Sequence, residues 1–249
     1  MSKSIVRVTA VRVTTYVVAM VVGLCAVQSA QAEVNVRLRA GVGIGQYSVD
    51  SNFSIGGGGQ YKVEYEADYI TVPVGVTLIF DNELYVDMVH QSSSGDAKFS
   101  FSNQKPDFSR DDTTLTIGGR LDNVSIYVGY KTSEAITDWP SGTGIAPDRL
   151  TTSGFLAGVG WAIPLSSSAF NLGAGVGVLS GVYDYSSTAA PLDSETTLGY
   201  SLNAGYTYVF GPSFSVNADL RYQSYDYKFD SFFIKESPAH LVVSASYAF

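Results

Sequence analysis

Seven charged side chains offer most of the chemistry in this sequence, and each falls on the polar side of a segment in which apolar residues alternate with polar ones. Charges in such a position either hold one another in ion pairs or attract ions of opposite sign. Five of the seven are cationic, so a passage lined by them would favour anionic solutes. The seven residues are Arg37, Arg39, Asp87, Arg120, Lys131, Asp219 and Arg221.

Catalytic and metal-binding motifs are scarce in the rest of the chain. The sequence has two histidines, His90 and His240, and one cysteine, Cys25. It contains no phosphate loop, zinc motif or catalytic triad. The acidic residues of the polar stretches lack the spacing of a calcium loop. We therefore expect neither a metal nor a cofactor.

The elements that must position the seven charges are β-strands, because apolar residues recur at every second position from Glu33 onward. In the first segment, Val34 to Ile44 place aliphatic side chains on one face and Asn35, Arg37 and Arg39 on the other. Short turns near residues 81, 122, 165 and 212 alternate with long polar loops. These loops are predicted at about Ser92 to Asp112, Thr132 to Leu150, Asp184 to Asp193 and Lys228 to Ala239, and the pattern gives ten strands in all.

The last strand, His240 to Phe249, shows the alternation most clearly. Leu241, Val243, Ala245, Tyr247 and Phe249 share one face, and small, mostly polar residues share the other. The opposite end of the chain has the layout of a secretory signal peptide. Basic residues precede an apolar run and the small-x-small site Ala30-Gln31-Ala32, so cleavage is expected after residue 32.

Removal of this leader would take away three positive charges (Lys3, Arg7, Arg12) and no negative ones, which moves the formal net charge from −8 to −11. An acidic protein of this kind is not expected to bind nucleic acid. The leader also contains the only cysteine, so the remaining chain would have no thiol chemistry.

The leader, the period-two strands and the final Phe249 resemble bacterial outer-membrane β-barrels of the OmpA-like, Opa-like porin superfamily. The resemblance covers residues 33–249 and implies an all-β, transmembrane, antiparallel up-and-down barrel of about ten strands in the outer membrane of a Gram-negative bacterium. The resemblance also implies contacts with outer-membrane lipid and lipopolysaccharide. It further implies that the barrel assembly machinery recognises the closing strand through Tyr247 and Phe249. A soluble β-sandwich fits less well, because the second face is too rich in glycine and small polar residues.

Aromatic residues beside the short turns and the C-terminus are typical of the periplasmic girdle of such a barrel. These residues are Phe80, Trp161, Phe170, Phe210, Phe214 and Phe249. The seven charges would then point into the lumen. Because a barrel of about this size is nearly filled by side chains, we expect them to plug it and to rest against the glycine-rich wall of the sixth to eighth strands.

Two families of outer-membrane enzymes allow a check for catalysis. The omptin proteases use an Asp-x-His arrangement, in which neither His90 nor His240 lies. The lipid A deacylases carry a His-x-Ser pair on a lipid-facing strand, and His90-Gln91-Ser92 resembles it. Here, however, the pair lies on an early strand and no acidic partner follows a dozen residues on.

We therefore predict a non-enzymatic envelope protein whose role is carried by its outer loops, with an unknown loop partner. A narrow porin that weakly prefers anions is the first alternative. An outer-membrane lipid hydrolase using His90 and Ser92 is the second.

Overall fold

The computed structural model describes residues 34–55, 59–80, 83–100, 102–140, 143, 146–185 and 190–249. The predicted signal peptide, residues 1–32, lies outside the described residues. Within these ranges no helix is both long and apolar enough to span a membrane. The strands are β1 (Val34–Ile55), β2 (Gly59–Phe80), β3 (Leu84–Phe99), β4 (Asp107–Leu121), β5 (Val124–Asp138), β6 (Asp148–Pro164), β7 (Ser168–Asp184), β8 (Leu192–Asp193), β9 (Thr197–Val209), β10 (Phe214–Lys228) and β11 (Phe232–Ala248).

Ten of these strands form a closed antiparallel barrel, as the sequence predicts. Each pairs with its neighbour in the chain, β9 follows β7 in the ring, and β11 closes on β1. The two-residue β8 only extends the edge of β7. Closure satisfies the backbone hydrogen bonds of every long strand, which is a requirement for a sheet surrounded by lipid.

Short turns lie at the end of the barrel that also carries the first residue of β1 and the last of β11, and we call this the turn end. The turn at Asp122–Asn123 joins the paired residues Leu121 and Val124, and Asp122 adopts a left-handed φ of 55°. The predicted turn at residues 81–82 lies outside the described residues. The opposite end is called the loop end.

From the turn end to about the middle of the barrel, apolar side chains point outward, and most inward ones are small, polar or charged. Phe155 and Leu198, for instance, are 72% and 71% exposed on the outer face. On β7 and β9, exposed residues alternate with less exposed ones, and the exposed ones lie on the outer face. Such an exposed apolar band is what the hydrocarbon of a bilayer would cover.

The strands continue well past this band, which corrects the predicted loops. β3 extends to Phe99 and β4 starts at Asp107, and the loops predicted at Thr132 to Leu150 and at Lys228 to Ala239 are shortened in the same way. The predicted loop at Asp184 to Asp193 keeps its place, because β7 ends at Asp184 and β9 starts at Thr197. The alternation persists there with its polarity reversed: Tyr47 and Val49 are buried inside, whereas Gln46 and Asp50 face outward. A wall with water outside must place its apolar face inward, so these segments look polar without being loops.

The buried core consequently fills the loop half of the barrel. It consists of aromatic and aliphatic side chains that point inward from nine strands or lie just beyond the ends of strands. Its members are Tyr47, Val49, Ala67, Tyr69, Ala97, Phe99, Phe108, Ala135, Trp139, Leu150, Leu179, Tyr225, Tyr227, Phe229, Phe232 and Ile234. The lumen is therefore divided into a packed loop half and a more open turn half.

Candidate functional site

An ion network crosses the lumen at the boundary between the two halves. We define the mid-lumen network as Arg110, Asp112, Lys131 and Glu236. Arg110 Nη1 donates to Glu236 Oε2 at 2.7 Å, and Arg110 Nε donates to Asp112 Oδ2 at 2.8 Å. Lys131 Nζ lies 3.1 Å from Asp112 Oδ1. Two cations and two anions thus balance one another in a buried position, where an unpaired charge would be costly.

The network spans the barrel from wall to wall. Arg110 belongs to β4 and Glu236 to β11, and in the ring three strands separate them on one side and five on the other. Lys131 of β5 donates to Gln223 Oε1 of β10 at 2.8 Å, and three and five strands likewise separate β5 from β10 in the ring. These two links connect nearly opposite walls at one level of the barrel.

Aromatic side chains cover the network on its loop side. The hydroxyls of Tyr47 and Tyr227 donate to the two oxygens of Glu236, at 2.9 and 3.1 Å. The Tyr47 ring stacks on Phe108 with centroids 4.9 Å apart, and it also lies 5.0 Å from the Arg110 guanidinium carbon. Arg110, Tyr47 and Tyr227 are each at most 1% exposed. Charge and aromatic packing together form one continuous layer.

Below this layer, the turn half contains a cavity of about 570 Å³, which we call the lower cavity. Its roof includes Lys131, Gln223 and His240, and its lining reaches Asn123 and Ala162 at the turn end. The described residues place no carboxylate within 4 Å of three arginines in this lining, although each points into it. These are Arg37, Arg120 and Arg221.

The seven charges predicted from the sequence therefore separate into groups instead of forming one cluster. Arg39 and Asp87 form an ion pair at 3.3 Å, and Thr77 Oγ1 donates to the same carboxylate at 2.6 Å. Lys131 belongs to the mid-lumen network. Asp219 lies on the inner wall, next to Gly205.

Three members of the network were missed in the sequence, and two of them, Asp112 and Glu236, were assigned to the outer loops. The signal was present: Arg110 and Asp112 share the parity of the inward Thr114 and Thr116, and Glu236 shares that of His240. The reversed polarity of the outer segments concealed it, because the alternation no longer showed an apolar outer face.

The glycine-rich wall accommodates tyrosine rings instead of the expected arginine and lysine side chains. A Cβ at Gly199 would overlap the Tyr225 ring, and a Cβ at Gly158 would overlap Tyr127. The rings of Tyr225 and Tyr127 thus lie flat against the inner surface. This packing leaves the lower cavity open in its centre.

A second cavity, of about 430 Å³, lies in the loop half and is named the outer cup. Aromatic rings form much of its wall. Tyr65 stacks on Phe99 with ring centroids 4.8 Å apart, and the centroids of Phe99 and Trp139 are 4.7 Å apart. Asp148, Tyr183 and Gln104 are among the other residues of the lining. Burial raises the pKa of Asp148 to about 6, and the neighbouring donors of Trp139 and Tyr183 offset only part of that effect.

His90 and Ser92 lie on the outer face of β3 and do contact each other. His90 Nε2 is 3.2 Å from Ser92 Oγ, and His90 Nδ1 is 2.9 Å from Thr113 Oγ1. Ser92 Oγ donates to Asp111 Oδ1 at 2.6 Å. Asp111 thus accepts a hydrogen bond from the serine hydroxyl, whereas the acid of a serine hydrolase accepts one from the histidine and orients it.

The predicted girdle residues lie near the turn end. Trp161, Phe170, Phe210, Phe214 and Phe249 are exposed on the outer face, and Phe80 is partly exposed. Phe210 and Phe214 have ring centroids 5.6 Å apart. Tyr247 and Phe249 pack edge to face at 4.9 Å, and the amide of Phe249 donates to the carbonyl of Val36 at 2.9 Å, which ties the chain end to β1.

Comparison with known proteins places this barrel in a family. Residues 17–249 match the family described as outer membrane protein beta-barrel domain. The sequence has no match among curated proteins. The outer membrane protease OmpT from Escherichia coli has a similar structure, with a TM-score of 0.67, 10% identity, and coverage of 86% of this chain and 97% of that one.

Two further outer-membrane barrels match with lower TM-scores. OprG from Pseudomonas aeruginosa has a TM-score of 0.40 and 14% identity, and the match covers 86% of this chain and 95% of OprG. Neisserial surface protein A has a TM-score of 0.40 and 12% identity, with coverage of 88% and 100%. At 10% identity, the likeness to OmpT shows a shared fold.

Proposed function

This chain belongs to the outer membrane protein beta-barrel domain family, and we propose that it is a non-conducting, non-enzymatic barrel whose activity is located at its loop end. In this proposal the turn half anchors the protein in the outer membrane of a Gram-negative cell. The loop half stands above the membrane and meets external molecules. Outer-membrane lipid and lipopolysaccharide would contact the exposed apolar band.

The layer across the lumen is the observation that supports a non-conducting barrel. Arg110 and Glu236 are both 1% exposed, and Tyr47 covers them from the loop side. An aqueous path would require several buried hydrogen bonds to break at the same time. Leaving one charge of such a pair without its partner costs about 3–5 kcal/mol. In this proposal, a solute that passed from one cavity to the other would have to break this pair.

Conductance of the refolded barrel tests this proposal. Residues 33–249 in planar bilayers should show no steady unit conductance. The double variant Arg110→Ser/Glu236→Ser removes the link without leaving either partner charged, and it should produce frequent openings. The matched control is Arg149→Ser/Glu134→Ser, which removes an ion pair of 2.9 Å on the outer wall. Steady channels in the unaltered protein would contradict the proposal.

A narrow, anion-preferring porin is the second candidate, and the lower cavity is the observation that favours it. Arg37, Arg120 and Arg221 face this cavity without an ion pair among the described residues. The same conductance experiment separates the two candidates. Channels with anion selectivity that disappears in Arg37→Gln/Arg120→Gln would support the porin.

Lipid hydrolysis by His90 and Ser92 receives less support from the geometry. Activation of a serine requires its proton to pass to the histidine, but the Ser92 hydroxyl points to Asp111. Cells that express the His90→Ala variant should therefore have the same lipid A composition as cells that express the unaltered protein.

A further inference from the structure

The outer cup holds a partly buried acid with no cation to balance it. Among the described residues, no lysine or arginine lies within 4 Å of Asp148. Arg149 is turned to the outer wall, where it pairs with Glu134, and Arg110 is held by Asp112 and Glu236. A carboxylate in an apolar surrounding is stabilised by a positive charge, and this chain does not supply one there.

The cup also holds a donor whose hydrogen bond is not well formed. The indole N–H of Trp139 is buried and makes no hydrogen bond of normal geometry, although Asp148 lies beside it. Trp139 is only 8% exposed. Native proteins rarely leave such a group unpaired unless a ligand or a water completes it. A carboxylate without a counter-ion and an indole N–H without a well-formed hydrogen bond therefore face one cavity.

The wall of the cup suits a flat, apolar body. Tyr65, Phe99 and Trp139 follow one another in ring contacts of 4.7 and 4.8 Å. Aromatic rings attract organic ammonium ions through their negative faces. The volume of about 430 Å³ falls within the range of small-molecule sites.

We propose that the outer cup binds a small organic cation with an aromatic or apolar body, its ammonium group against Asp148 and its body against the rings of Tyr65, Phe99 and Trp139. Binding would keep Asp148 ionised, and the ionised carboxylate would become a strong acceptor for the Trp139 N–H. One ligand would thus satisfy both groups. This inference rests on the proposed function, because it gives a ligand class to the loop end.

Fluorescence of Trp139 provides the readout. The chain has two tryptophans, and Trp161→Phe leaves Trp139 as the single emitter. This protein is refolded in phosphatidylcholine vesicles and titrated with 2-phenylethylammonium. The neutral 2-phenylethanol and the anionic phenylacetate serve as ligands of the same shape. We expect saturable binding of the ammonium, with affinity at least about tenfold higher than that of the alcohol.

Two variants separate a specific ion pair from general attraction to an acidic protein. Asp148→Asn should weaken ammonium binding by at least about tenfold and leave alcohol binding unchanged. Glu134→Gln removes a negative charge from the adjacent outer wall and should preserve ammonium affinity within about twofold.

The proposal is overturned if the alcohol binds as well as the ammonium, if Asp148→Asn binds the ammonium as the unaltered protein does, or if no saturable signal occurs. The comparison of ammonium with alcohol needs no cup variant, so it remains decisive even if Asp148→Asn does not fold. A silent bilayer recording together with absent ligand binding would reject this inference and leave the proposed function standing.

Discussion

At the scale of single residues, the odd or even position of a residue in its strand predicts whether its side chain points into the lumen or outward. Arg39, Asp87 and Lys131 were predicted to point inward, and each lines the lumen. Their partners were harder to predict. Lys131 pairs with Asp112 from the neighbouring strand, and Arg110 pairs with Glu236, which is 126 residues away in the chain. Such a distant pair depends on how the ring closes, and alternation within one strand carries no information about it.

Asp148 makes a prediction about stability against pH. Its pKa is raised to about 6 in the folded protein from an ordinary value of 3.8, so between these values the folded form holds a proton that the unfolded form has released. The free energy of unfolding should therefore fall as pH rises from about 4 to above 6, by roughly 2–3 kcal/mol at most. Asp148→Asn removes this loss and should be more stable than the unaltered protein at neutral pH.

Urea titrations in lipid vesicles at about pH 4 and about pH 7.5 measure this difference. The exposed Asp138 offers the control, since Asp138→Asn should change the free energy of unfolding little at either pH. If Asp148→Asn proved less stable than the unaltered protein at the higher pH, the ionised carboxylate would be stabilising and the predicted sign would be wrong.

At the scale of strands, the sequence predicts the turn half better than the loop half. In β5, the outward residues from Val124 to Tyr130 alternate with Ser125, Tyr127 and Gly129, and this segment was correctly predicted as a strand. Beyond Tyr130 the same strand continues with Ser133, Ala135 and Thr137 buried inside. The pattern has period two in both parts, but the apolar face changes sides. A sequence search for strands with an apolar outward face stops at the edge of the apolar band, although the strand itself continues beyond it.

The facing of β5 leads to a prediction about membrane insertion. Val128 is 60% exposed at the middle of the apolar band, so Val128→Arg would place a charge in hydrocarbon and should cost roughly 2–4 kcal/mol. Thr116, on β4, lies opposite Gly129 and lines the lower cavity, so Thr116→Arg should cost less. Equilibrium refolding in vesicles compares the two variants, and equal costs would mean that the two faces have been exchanged.

At the scale of the whole molecule, the barrel consists of two compartments separated by one layer. The lower cavity borders the turn end, and the outer cup borders the loop end; the mid-lumen network and the rings above it lie between them. The ring of ten strands was predictable from alternation and turn spacing. The division was not, because it depends on which side chains meet across the centre of the barrel.

This division predicts that each compartment reacts from one side of the membrane only. The chain from residue 33 onward has no cysteine, so single cysteines can be introduced as Asn203→Cys in the lower cavity and Gln104→Cys at the outer cup. In vesicles with uniformly oriented barrels, a small charged thiol reagent added outside should modify one of these variants, and the other only after detergent is added. The reagent is small enough to enter either cavity, but its passage between them would require the buried Arg110–Glu236 link to open. Modification of both variants from the same side would show that the lumen is continuous, and it would favour the porin over the closed barrel.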